Sequence, residues 1–200
     1  MNVAVLGSGS WATALAKIVM HNVAEINWYI RKQETIDEFR EIRRNPNHLE
    51  WAYFDISRIN FSNDINQVLS EAELVILAVP SPYVKDVLAE ITVDMSQKKV
   101  ISAVKGMIPG DNILVTDYMH EHFHIHENNL GMITGPCHAE EIALERLSYL
   151  TIGCKDTANA TEWKKLFDTP YVRTTPSNDM KGLEYASVMK NIYAIAAGIC

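Results

Sequence analysis

The chain has 200 residues, 48% hydrophobic and 22% charged, with a net charge of −7 and an isoelectric point near 5.5. That balance suits a globular protein with room for one large domain, or one domain and part of another. It excludes a general nucleic-acid binder and a protein that coats acidic membranes, though not a local basic pocket for a phosphorylated ligand. Three widely spaced cysteines, Cys137, Cys154 and Cys200, are odd in number and fit a reducing cytoplasm better than a disulfide framework.

The chain opens on an unbroken apolar run, Val3-Ala4-Val5-Leu6, which predicts a buried parallel strand. The run stops at Gly7, and from Thr13 the pattern turns helical, with Ala14, Leu15 and Ile18 on one face. Gly7, Gly9 and Ala12 fill the positions of the G-x-G-x-x-G/A fingerprint. There the small residues allow a tight turn, close approach of backbone to a pyrophosphate, and packing of helix on strand. The free N–H groups and the dipole of the new helix then face the phosphates. No basic segment precedes the apolar run, which is too short to span a bilayer, so a cytoplasmic chain without membrane insertion is expected.

Ile26 to Ile30 predicts a second strand, ending in Arg31-Lys32. An NAD-type fingerprint places an acidic residue near this strand end to bind the ribose 2′-hydroxyl. Two cations there suit a 2′-phosphate instead, which favours NADPH, while Glu34 nearby leaves NADH open. A helix is expected over 35–44, an irregular loop with His48, Trp51 and Tyr53 over 45–54, a short strand at 59–61, and a helix capped by Asn63 or Asp64 and running to Ser70. Leu74 to Val79 is the clearest strand and ends at Pro80. Ser81 and Pro82 then read as N-cap and N1 of a helix reaching Ile91, which puts Pro80 at the cofactor crevice of a doubly wound sheet.

Val100 to Val104 is a further buried strand, and Lys105-Gly106 at its carboxyl end points Lys105 into the same crevice. A helix over 111–120, a strand over 131–134 and the turn Gly135-Pro136-Cys137-His138 follow, leading into a helix with Glu140 and Glu141 in its first turn. Strands at 149–154 and 171–174 around a helix at 161–167 complete the alternation. It predicts a Rossmann-type α/β fold: a doubly wound, mainly parallel sheet with helices on both faces. Thr175 to Asp179 reads as a domain edge, giving a dinucleotide-binding domain over 1–178 and the start of a helical domain over 179–200. That last helix is apolar on too many sides for a free surface helix and lacks stop signals, so partner helices are expected beyond it. The run His120, His122, His124, His126 has zinc-compatible spacing on a helix or a strand, but no cysteine or second cluster supports a metal, and a solvated tract is the favoured reading.

Five segments occur in the order seen in NAD(P)-dependent glycerol-3-phosphate dehydrogenase, and over essentially the whole chain the sequence resembles the N-terminal part of that family. They are Gly7-x-Gly9-Ser10-Trp11-x-Thr13-Ala14-Leu15-Ala16, Ala78-Val79-Pro80, Lys105-Gly106, Gly135-Pro136-x-x-Ala139-Glu140-Glu141 and Lys190-Asn191-x-x-Ala194-Ile195-Ala196-Ala197-Gly198. The resemblance implies a helical second domain that carries part of the substrate site and offers a dimer interface. It implies dihydroxyacetone phosphate and sn-glycerol 3-phosphate as substrates, NADPH or NADH as cofactor, and a supply of glycerol 3-phosphate for phospholipids. Gly7, Gly9, Ser10, Trp11, Ala12, Arg31, Lys32 and Pro80 would contact the nucleotide, with Ala139 near its nicotinamide end. Lys105 would touch cofactor and substrate, Gly135, Cys137 and Asn191 the substrate, and Lys190 would be the acid/base. Ketone reduction needs a proton on oxygen, which a lysine can supply if burial or a neighbouring cation lowers its pKa.

There are departures. Ala12 stands where the family usually has glycine, Lys105 follows Ala103-Val104 rather than serine, Cys137 takes a serine or threonine position, and Ala186-Ser187 replaces a glycine pair. Dehydrogenases of the 6-phosphogluconate or ketopantoate type, and a non-catalytic NAD(P)-binding module, are the alternatives. The 200 residues alone are expected to turn over little or nothing.

Overall fold

A computed structural model describes residues 1–199; Cys200 and the side chain of Asn191 lie outside the described residues, and with them the expectations for a reduced Cys200 and for Asn191 as a substrate contact. The elements are β1 (Val3–Leu6), α1 (Ser10–Val19), β2 (Ile26–Tyr29), α2 (Gln33–Ile42), β3 (Ile59–Ser62), α3 (Ile65–Ser70), β4 (Leu74–Leu77) and α4 (Ser81–Ala89). They continue with β5 (Lys99–Ser102), α5 (Val115–Phe123), β6 (Leu130–Thr134), α6 (Ala139–Ala143), β7 (Ser148–Cys154), α7 (Thr157–Phe167), β8 (Val172–Ser177) and α8 (Met180–Ile199).

The strands form one sheet in the order β3-β2-β1-β4-β5-β6-β7-β8, as the doubly wound reading requires. All neighbours are parallel except β6 and β7, which run antiparallel across the connection that holds α6. Strand order reverses between β1 and β4, where Leu6 lies between Tyr29 and Leu77. Successive residues of β1 serve opposite faces. Val3 and Val5 join one core with Ile76, Trp28, α1, α2, α6 and α7; Ala4 and Leu6 join the other with Val75, Leu77, α3, α4 and α5. Burial on both faces is why the central strands read as continuous apolar runs.

At the sheet edge the core is aromatic. Trp28 lies 5.3–5.7 Å from the rings of Phe39, Phe54 and Phe61 and closes the space beneath the loop over 45–54. Trp51 and Tyr53 of that loop stay exposed, at 55% and 62%.

Five local expectations differ from the structure. Pro80 is the N-cap of α4 and Ser81 its first residue, so the cap lies one position earlier; α4 also stops at Ala89 rather than Ile91. The helix expected from Asp111 begins at Val115, because Ile108 and Ile113 pair in a bridge around the left-handed Gly110 and Asn112. The helix expected from Thr161 begins at Thr157, where Asp156 accepts from Ala158 N–H at 2.8 Å. The strand expected over 171–174 runs on as β8 to Ser177, with Thr175 to Ser177 paired with Thr151 to Gly153 of β7. The differences at α5, α7 and β8 come from tertiary pairing or a cap overriding local pattern.

The fingerprint turn is the tightest point of the sheet. Gly7 has φ +118°, and a Cβ there would stand 2.5 Å from the Ala78 carbonyl oxygen. We expect Gly7→Ala to destabilise the chain by at least about 2 kcal/mol, from forbidden backbone plus the clash. Urea unfolding should show a lower midpoint with an unchanged slope; an unchanged midpoint would mean that β4 yields easily here.

Candidate active site

The carboxyl ends of β1 and β4 frame the site. Gly7 O accepts from Trp28 Nε1 at 2.7 Å, and Gly7 N–H donates to Tyr29 O at 3.3 Å, so β2 holds the turn from one side. Ala78 N–H donates to Leu6 O at 2.9 Å from the other. Gly9 is the N-cap of α1, with extended backbone and no side-chain cap. The first N–H groups of α1 therefore have no partner from a capping side chain, and open space lies where a Cβ of Gly9 would be. That open cradle at a helix N-terminus fits a pyrophosphate. Ala12, the third position, lies in the first turn of α1 and is fully buried.

The loop over 45–54 closes one wall, a role that local pattern did not reveal. Asn45 Nδ2 donates to Ser8 O at 2.9 Å and to Thr13 Oγ1 at 2.8 Å, tying the loop to the fingerprint turn. Ser10 Oγ and His48 Nδ1 form a hydrogen bond of 3.1 Å. The signal was an Asn-Pro turn rich in polar groups, but nothing in one sequence says which turn will fold over a glycine loop.

Two clefts meet here. One, of 230 Å³, lies between Gly9, Arg31, His48, Pro80 and Tyr83. The other, of 300 Å³, lies between Gly9, Trp11, Pro80, Ser81 and Lys105. They share Gly9, Val79 and Pro80, so they are halves of one groove running from Arg31 over the helix terminus to Lys105. Arg31 and Lys32 are exposed at the outer end, where Lys32 also serves as N-cap of α2. A larger hollow of 560 Å³ lies elsewhere, between Lys17, Trp51 and Glu145. Its cations are engaged: Lys17 with Ala143 O and Glu145, Arg58 with the carbonyls of Met20, Val23 and Ala24.

At the inner end Lys105 Nζ sits 4.5 Å from the centroid of the Trp11 ring, a cation–π contact. Trp11 Nε1 is buried with no hydrogen-bond partner, a donor free for a group in the groove. Burial pushes the Lys105 ammonium below the usual lysine value; the charge of Lys190 pushes it further, and Cys137 opposes. Burial pushes the Cys137 thiol up, and both lysines pull it down. Lys105, Cys137 and Lys190 are thus one electrostatic cluster, gathered from β5, the β6–α6 turn and α8. Lys190 itself is exposed on α8. Gly135 lies close against β7, where a Cβ would meet Tyr149 O at 2.3 Å. Ala139 is buried at the start of α6, whose N-terminus His138 N–H closes by donating to Glu141 Oε2 at 3.1 Å.

The histidine run is used locally. His120 Nδ1 bonds Ile125 O, His122 Nδ1 bonds Tyr118 O, and His126 Nδ1 accepts from Asn128 N–H. Among the described residues no group of three or more His, Cys, Asp or Glu could hold a metal, and no helix is long and apolar enough to cross a membrane.

If Lys105 and Lys190 repel as described, Lys190→Ala raises the titration of Lys105 toward the ordinary lysine value. Lysine ε-¹⁵N resonances followed against pH measure this; an unmoved Lys105 would show that burial alone holds it down.

The profile of the family described as NAD-dependent glycerol-3-phosphate dehydrogenase N-terminus matches residues 2–160. The chain is 32% identical over 200 residues to a glycerol-3-phosphate dehydrogenase (NAD(P)+) of an Exiguobacterium species, covering 99% of this chain and 58% of that protein. It is 33% identical over 199 residues to the protein of the same name from Oceanobacillus iheyensis, covering 98% and 57%. Among solved structures, the glycerol-3-phosphate dehydrogenase of Plasmodium falciparum superposes with a TM-score of 0.90 at 30% identity, over 100% of this chain and 58% of that one. The chain thus spans somewhat more than half the length of these relatives. From its fingerprint turn to α7 this chain belongs to the NAD-dependent glycerol-3-phosphate dehydrogenase family, as its N-terminal, nucleotide-binding part.

Proposed function

We propose that the chain is the cofactor-binding part of an enzyme that interconverts dihydroxyacetone phosphate and sn-glycerol 3-phosphate with NADPH or NADH, supplying glycerol 3-phosphate for phospholipids in the cytoplasm. The observation that carries this is the single groove from Arg31 to the Lys105–Cys137–Lys190 cluster. A dinucleotide laid along it would rest its pyrophosphate on Gly7, Gly9, Ser10 and the start of α1 above Ala12. Arg31 and Lys32 would meet the adenosine ribose, with its 2′-phosphate in NADPH, and Pro80 would line the middle. Trp11, Lys105 and Ala139 would flank the nicotinamide, which supplies the hydride.

The remaining chemistry falls to the chain. The charge of Lys190 disfavours the Lys105 ammonium and an anion would relieve it, so the two lysines suit a phosphorylated, carbonyl-bearing substrate. Gly135 and Cys137 give backbone and thiol contacts beside it, with Asn191 as a further contact. Lys190 would protonate the carbonyl oxygen during reduction and accept that proton in the reverse direction; Lys105 would hold the oxygen in place. We take residues 1–178 as the dinucleotide-binding domain and 179 onward as the start of a helical substrate domain. The exposed Ile192, Tyr193, Ile195 and Ile199 of α8 suit packing of further helices and dimerisation through them.

Calorimetric titration of this chain should show NADPH binding more tightly than NADH, with Arg31→Ala removing the difference; equal affinities for the parent chain would reject the 2′-phosphate role of Arg31. In the full-length protein, Lys190→Ala should lower the kcat for dihydroxyacetone phosphate reduction by about 10²- to 10⁴-fold while nucleotide affinity holds. Turnover at the parent rate would reject Lys190 as the acid/base.

A further inference from the structure

Helix α8, which carries Lys190, is held by one buried acid. Glu184 is 0% exposed and is the only acidic residue from Met180 to Cys200. Its Oε1 accepts from Thr116 N–H at 3.2 Å and its Oε2 from the Thr116 hydroxyl at 2.5 Å. Those groups belong to the first turn of α5, whose N-cap is Leu114, a residue with no polar side chain to cap it. A helix N-terminus left without such a partner is unfavourable when buried, and a carboxylate there also meets the positive end of the dipole. Glu184 therefore caps α5 from a different helix.

A carboxylate is expensive to bury, and an apolar residue would pack as well in most cores. What the acid adds is direction. Two oxygens bonded to one residue of α5 set both the rotation of α8 about its axis and its position along it. Lys181 Nζ, one turn away, pairs with Asp117 Oδ1 at 3.0 Å and repeats the link at the rim. Below, Met180 and Leu183 press on Gly153, where a Cβ would meet Leu183 Cδ1 at 2.6 Å. Lys190 follows Glu184 by six residues, about 9 Å along the helix. A rotation of α8 at Glu184 is carried to the Lys190 ammonium.

We propose that Glu184 is a positioning residue for Lys190: by capping α5 it fixes the seat of α8, and so the place of the Lys190 ammonium relative to Lys105. The proposal rests on the reading of Lys190 as the acid/base. Burial pushes the Glu184 carboxyl above the usual range, while the Thr116 hydroxyl and the N–H groups of Thr116 and Val115 pull it down and Asp117 pushes it up.

The test is steady-state reduction of dihydroxyacetone phosphate by the full-length protein, comparing Glu184→Gln, Lys190→Ala and the double variant. The expected result is a kcat about 10- to 100-fold lower for Glu184→Gln, the scale of a small misplacement of a reacting group. Nucleotide KM should stay within about twofold, and the double variant should be no slower than Lys190→Ala, because Glu184 acts only through Lys190. Thr116→Val, which removes the hydroxyl donor and leaves α8 intact, should follow the same pattern and serves if Glu184→Gln does not fold. Losses that multiply in the double variant, or an equal loss of nucleotide affinity, would reduce Glu184 to a stability residue and overturn the proposal. An unchanged kcat for both cap variants, with Lys190→Ala inactive, overturns the proposal alone; a fully active Lys190→Ala overturns the acid/base reading and the proposal together.

Discussion

The rest of this structure depends on the contact between Gly7 and β4. The chain leaves β1 in a backbone conformation that side chains avoid, and passes so close to the Ala78 carbonyl that a single methyl group would collide with it. Only there can α1 start directly above the sheet with its open N-terminus aimed into the crevice between β1 and β4. Once that turn is set, other elements are arranged to keep it. Trp28 reaches from β2 to bond Gly7, and Asn45 reaches from the loop over 45–54 to bond Ser8 and Thr13. The aromatic cluster of Trp28, Phe39, Phe54 and Phe61 fills the space beneath that loop. Core packing and the glycine turn are thus one construction: the indole that fills the edge of the core is also the donor that steadies the turn.

The inner end of the groove works by the opposite logic. Where the fingerprint turn is satisfied and rigid, Lys105 stands exposed against the Trp11 indole, and the charge of Lys190 disfavours its ammonium. An anionic, hydrogen-bonding ligand would relieve that cost. Lys190 is carried by α8, whose seat is set by Glu184 and Lys181 on α5.

The sequence by itself determined the architecture and the glycine turn. Both rest on local physics: strands buried on two faces must be apolar throughout, a helix after a tight turn needs small residues at fixed spacing, and strand–helix alternation leaves few topologies. Gly7, Gly9 and Ala12 could be read for the same reason, since each is dictated by its own backbone surroundings. The end of the buried strand at Val104 pointed to Lys105, and the family resemblance added Lys190, which no periodicity singles out.

What only tertiary structure decided involves groups distant in sequence. Asn45 and His48 belonged to an irregular loop with no assigned role until folding laid them over the glycine turn, and nothing in the local pattern of α8 marked Glu184 as the cap of α5. The start of α5 was displaced from its local signal because Ile108 and Ile113 pair across Gly110, and β8 ran on past Thr174 because β7 offered it partners. Caps, bridges and coupled charges depend on partners that arrive from elsewhere in the chain. Local pattern records a residue's own preference and leaves out which donor or charge the fold will set beside it.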